Sequence, residues 1–132
     1  MGSKLTAICS ELPRTVFRVV VGSVFVYHGT LKVLNGIDGF TKYIGALGIP
    51  YPLVASYLVV GVEILCGLAL ILGIFARWAT LPLITTMIVA VVKVTGKNGF
   101  NVFDKGYEYN LVLIACLVLI LSQGPGRWSI RN

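Results

Sequence analysis

The 132 residues are 57% hydrophobic and only 12% charged, with a mean hydropathy of +0.90. That balance excludes an ordinary soluble domain and is the composition of an integral membrane protein. The net charge of +6 suits anionic lipid headgroups. The basic residues are scattered and form no block, which argues against nucleic acid as a partner.

The opening stretch MGSKLTAICSELPR is too polar for the apolar part of a signal peptide, and no small-residue cleavage motif follows. The first apolar run is therefore read as a retained helix over 13–34, with Pro13 at its start, where a missing N–H costs little. In the following loop, Asp38 suits an N-cap and Gly48 a stop, while Phe40, Ile44 and Leu47 fall at helical spacing. These predict a short amphipathic helix over 38–48 at the membrane surface. A second span is expected over 52–75 and a third over 77–95, joined so closely that they form a tight antiparallel hairpin. Pro82 falls in the first turns of the third. The loop GKNGFNVFDKGYEY carries two phenylalanines suited to dipping into the interface or covering a cavity. A fourth span is expected over 107–122. Its purely apolar part, Leu111 to Leu121, is too short to cross alone, so Glu108, Tyr109 and Asn110 are drawn to the interface or just under it. The predicted fold is an all-α membrane four-helix bundle, one domain over 1–132, with an interfacial helix between its first two spans.

Polar residues inside these spans carry the functional information. Glu63 stands near the middle of the apolar run from Leu53 to Phe75, where a charge persists only with a partner or a function. On the first helix Arg14, Arg18, Val21, Phe25, His28 and Lys32 are spaced 4, 3, 4, 3 and 4 residues apart. At 3.6 residues per turn they fall within roughly 80° of one another, a stripe that should face the bundle or a protein partner. With the helix centred near Val24, His28 lies about 6 Å and Lys32 about 12 Å outward at 1.5 Å per residue. His28 is thus the expected partner of Glu63 and Lys32 a less direct one. One half of the bundle collects His28, Lys32, Glu63, Lys93, Glu108 and Asn110. The other half holds Arg14, Arg18 and Arg77, placed to snorkel at the interface, and Lys93 reads the same way on its own side.

Such a cluster can register helices, or it can bind something polar from within the bilayer. A buried His with a carboxylate can hydrogen-bond a quinone carbonyl and relay its proton, and the same groups suit a lipid headgroup. Tyr107, Tyr109 and Trp128 read as aromatic-belt residues. Gly22, Gly29, Gly61, Gly67 and Gly73 read as sites of close helix approach. The cysteines Cys9, Cys66 and Cys116 form no CxxC pair and have no metal-ligand spacing, and the latter two read as packing residues. With one histidine, a haem held by two histidines of one chain is excluded. No metal or intrinsic cofactor is expected.

Across nearly its whole length the chain resembles the DoxX family of small four-helix membrane proteins. The matching elements are Arg18 with Gly22 and Phe25, then Tyr27-His28-Gly29 with Lys32, Phe40, and the Gly48-Ile49-Pro50 turn. Glu63 with Gly67 and Gly73, Arg77 with Ala79, Glu108, and Gly124-Pro125-Gly126 with Ser129 complete the set. Ile130-Arg131 departs from it, since the family often has an aliphatic residue and an aspartate there. The resemblance implies a four-helix bundle associated with redox systems. DoxX-like proteins include a subunit of a thiosulfate:quinone oxidoreductase, and others partner with superoxide-detoxifying and sulfur-transfer enzymes. Fold likeness alone does not make the chain an enzyme.

The expectation is therefore a non-catalytic or co-catalytic subunit in a bacterial inner membrane, with both termini cytoplasmic. It would work with other membrane subunits, further copies of itself or a redox enzyme. Its His28, Lys32, Glu63, Glu108 and Asn110 would bind a quinone or lipid headgroup or anchor a partner, with Arg18, Arg77 and Lys93 secondary. A stand-alone quinone-dependent oxidoreductase, a small transporter and a structural scaffold are the alternatives.

Overall fold

A computed structural model describes residues 2–130. Its helices are α1 (Gly2–Leu34), α2 (Ile37–Ala46), α3 (Pro52–Leu72), α4 (Ala76–Ala90) and α5 (Glu108–Gln123). The helical path of α4 continues through a π turn, Val91–Thr95, and a 3-10 turn, Gly96–Asn98. α1, α3 and the extended α4 are long and apolar enough to cross a bilayer, and the shorter apolar α5 completes the bundle. The molecule is an all-α membrane bundle.

α1 is longer than its apolar pattern predicts. Its 33 residues rise about 50 Å at 1.5 Å each, well beyond a hydrocarbon core of about 30 Å. Pro13 lies inside the helix and does not start it. The preceding turns are built of adequate helix formers, and their hydroxyls return to the backbone. Thr6 Oγ1 donates to the Gly2 carbonyl at 2.7 Å and Ser10 Oγ to Ala7 at 3.0 Å. The surface helix starts one residue before Asp38, after Gly36 at φ 94, so a left-handed glycine makes the entry in place of an aspartate cap. Gly48, at φ 85, does end it. Arg131 lies outside the described residues.

α1 packs chiefly along α3, and glycines set the distance. A Cβ on Gly22 would stand 2.6 Å from the Gly67 carbonyl oxygen, and one on Gly67 would stand 2.8 Å from that of Gly22. Seven residues further along α1, a Cβ on Gly29 would stand 3.1 Å from Glu63 Cβ. Small side chains let two membrane helices make backbone contact, which replaces the hydrophobic drive that lipid cannot supply. Gly61, in contrast, faces open space. Around this seam Val21, Phe25, Leu70, Leu83, Leu117 and Ile120 form the core. Cys66 and Cys116 pack against it.

The two ends of the bundle are closed differently. At one end Arg18, 2% exposed, donates to the Pro125 and Trp128 carbonyls, each at 2.7 Å. Glu11 accepts from the Arg127 N–H at 2.7 Å. The segment after α5 is thereby strapped across this end. Arg18 is a buried clamp and not a snorkelling anchor, because two backbone carbonyls replace its water. At the other end α2 is pinned to α3 by Thr41 Oγ1 and Ser56 Oγ, 2.7 Å apart.

Gly22→Ala should lower the thermal midpoint, at a cost of about 1–3 kcal/mol from overpacking against backbone. Gly61→Ala, which gains helix propensity in open space, should match or exceed wild type. Unfolding in detergent followed by circular dichroism measures both. Equal midpoints for the two variants would rule out the glycine seam as the constraint.

Candidate functional site

Close approach at Gly29 brings Glu63 against α1, and the residue is 3% exposed. Lys32 sits three residues beyond Gly29 on nearly the same face. Helical side chains lean toward the N-terminus, so the lysine stem bends back toward the membrane interior. Its Nζ reaches both carboxylate oxygens, at 2.8 and 3.1 Å. The ammonium also lies 5.5 Å from the centroid of the Phe40 ring on α2, a cation–π contact that ties the surface helix to the ion pair.

His28 takes a different partner. Viewed down α1, Lys32 lies about 60° from Gly29 and His28 about 100° away in the same sense. The imidazole is therefore turned from α3 toward α5. There its Nε2 lies 3.3 Å from the Tyr109 hydroxyl, and the rings meet edge to face at 6.0 Å.

These pairs border a cavity of about 400 Å³ beneath α2. Most of its walls are apolar: Phe25 from α1, Tyr43, Ile44 and Leu47 from α2, Val59 from α3, Met87 from α4 and Leu113 from α5. Lys93 and Thr95 line it from the π turn, a distortion of the kind that re-aims side chains at functional sites. Lys105 and Gly106 close it from the loop before α5. Three lysines (32, 93 and 105) and one carboxylate, Glu63, line the space. With His28 neutral, that is 3 − 1, a formal excess of two positive charges. Asn110 is buried at the wall, its amide donating to Met87 Sδ at 3.5 Å. Among the described residues no three His, Cys, Asp or Glu side chains group to hold a metal.

The DoxX family profile matches residues 14–96, which hold α1 from Arg14, α2, α3, α4 and the π turn after it. The chain belongs to the DoxX family. Its relatives span most of its length. The inner membrane protein YphA of Escherichia coli is 27% identical, over 87% of this chain and 85% of its own. An uncharacterized membrane protein of Mycobacterium tuberculosis is 30% identical, over 86% and 76%. CatD of Bacillus subtilis, which carries a provisional oxidoreductase designation, is 26% identical, over 78% and 74%. No solved structure matches significantly. With these bacterial membrane relatives and its spanning helices, the chain is an integral membrane protein.

In this DoxX protein the structure gathers His28, Lys32, Glu63 and Asn110 around one cavity and brings Lys93 to its wall. The expected direct pairing of Glu63 with His28 does not form; Lys32 takes the carboxylate. Glu108 does not join the cavity either. It opens α5, and its Oε2 accepts from the Val102 N–H at 3.0 Å, bracing the loop. Arg18 and Arg77 lie at the opposite end, Arg77 exposed beside Gly124. Tyr109, read as a belt residue, instead meets His28, and its place next to Asn110 in the polar start of α5 was the available signal. Lys105 and Phe40 also contribute unforeseen contacts. Phe103 points outward, 92% exposed, and covers nothing.

Breaking a buried ion pair from one side strands a charge. Lys32→Met alone should therefore cost about 3–5 kcal/mol, while Lys32→Met with Glu63→Met should regain most of it. Thermal unfolding of both in the same detergent measures the difference. A double variant no more stable than the single one would mean that the two charges are not coupled.

Proposed function

We propose that this DoxX protein is a membrane-embedded subunit of a redox-linked complex whose cavity holds a quinone headgroup. The observation that carries this reading is the coincidence of apolar walls with a few convergent polar groups at one end of the bundle. The cavity's volume, about 400 Å³, is within the ordinary range of small-molecule sites. Lys32 and the Asn110 amide can donate to carbonyl oxygens, and the apolar walls suit a ring. The excess positive charge favours ligands that present oxygen acceptors. The oxidoreductase designation of CatD supports a redox setting for a relative.

A bound quinone would supply a two-electron, two-proton acceptor. The chain's own residues would orient it and manage the protons. Lys32 would donate to a carbonyl oxygen, with Glu63 fixing the ammonium. His28 and Tyr109 share a hydrogen bond at the cavity edge, where either atom can be the donor. Both lie beside the ring position, where each could donate a hydrogen bond to it. A partner enzyme then provides the electrons, as the resemblance to thiosulfate:quinone oxidoreductase subunits implies.

The test uses the variant of Lys32→Met with Glu63→Met, which retains the packing of the pair. Saturable binding of decylubiquinone to the detergent-solubilised chain, measured by ultrafiltration, should reach one molecule per chain in the wild type. The double variant should bind at least about tenfold more weakly, equivalent to about 1.4 kcal/mol. Unchanged binding would make the pair a helix clamp alone. Stronger competition by phosphatidylglycerol than by quinone would assign the cavity to a lipid phosphate.

A further inference from the structure

His28 and Tyr109 border a second space. On the lipid-facing side of α1 lies a groove of about 390 Å³, floored by Val20, Ser23 and Val24 and ending at this same pair. The two residues are thus the partition between the internal cavity and the groove. The seam they close is a thin one. α1 packs along α3 and meets α5 only sparsely. Among the described residues the His28–Tyr109 contact is the one side-chain hydrogen bond joining α1 to α5, and it is long at 3.3 Å.

We propose that the cavity opens sideways into the bilayer between α1 and α5, and that the groove holds the apolar tail of the cavity's ligand. This inference rests on the quinone reading above. The ligand class is a tailed amphiphile, an oxygen-bearing ring with an isoprenoid or alkyl chain. Three features fit that occupant and no water-soluble one. The other borders of the cavity carry the exposed Lys93 and Lys105, an unfavourable exit for hydrocarbon. From His28 the groove runs back to Val19, about 13 Å at 1.5 Å per residue, across the middle of the apolar part of α1. Beyond Tyr27, which borders the His28 end, its floor is valine and serine, small side chains that leave room for a chain beside the helix. Parting of the His28–Tyr109 pair passes the tail, and the ring then stays behind between Lys32 and Asn110.

Filling the groove tests this without touching the headgroup. Ser23 is exposed and outside the cavity, so Ser23→Trp should fold, as its circular dichroism and thermal midpoint will show. Wild type and variant are titrated with decylubiquinone and with its tail-less dimethoxy-methyl-benzoquinone ring, under identical detergent conditions. Detergent partitioning of each probe then cancels between proteins. The tailed probe should bind Ser23→Trp about tenfold more weakly, because the indole takes the packing contacts of the tail, while the ring binds both proteins equally. Unchanged binding of the tailed probe would overturn the groove and leave the headgroup site standing. Failure of both probes to bind the wild type would overturn the quinone reading and the groove with it. If Ser23→Trp does not fold, a decylubiquinone with a diazirine at its tail end replaces it. Photolabelling of 19–27, displaced by excess decylubiquinone, supports the groove; labelling spread over all lipid-facing helices contradicts it.

Discussion

An ionised carboxylate inside a membrane-spanning helix must be neutralised where it stands, and the architecture of this chain follows from how Glu63 is neutralised. Hydrocarbon offers no water, so the charge needs a partner on another helix at matching depth. Lys32 meets it only because Gly29 lets the α1 backbone approach Glu63 and because helical side chains lean toward the N-terminus. The ammonium in turn holds Phe40, so the same pair ties α2 over the end of the bundle. Buried ion pairs are seldom a net source of stability. What this one supplies is position, and the space beside it is the cavity.

The bundle divides its work between its ends. Arg18 fastens the segment after α5 through two backbone carbonyls, a contact that consumes its charge in holding chain. The cavity end is built more loosely, with a π turn, a braced loop and a long His28–Tyr109 contact. The proposed quinone site and its lateral opening both lie at this end.

Much of this was legible in the residues. The apolar runs marked the spans, the 4-3-4-3-4 spacing marked the inward stripe of α1, and Glu63 marked the depth of the site. What depth along the helix could not supply was rotation around it. By depth alone His28 is the better partner for Glu63, whereas 40° of helical phase and a longer stem favour Lys32. Glu108 showed the converse failure: it has the right depth, but a local turn captured it. Arg18 was legible as an inward residue and illegible as a clamp, because its partners are carbonyls more than a hundred positions away. Pro13 misled because helix continuity through a proline depends on the turns before it, which are polar and invisible to a hydropathy pattern.

The central claim is that the cavity beside Lys32 and Glu63 holds a quinone headgroup. The most direct measurement is the quinone content of the wild-type protein purified from its membrane in mild detergent, by organic extraction and mass spectrometry. The result is compared with the ratio of quinone to phospholipid in the whole membrane. The account predicts quinone near one molecule per chain, enriched well above that ratio. Quinone carried only at the ratio of the bulk membrane, alongside an enriched anionic phospholipid, would contradict it.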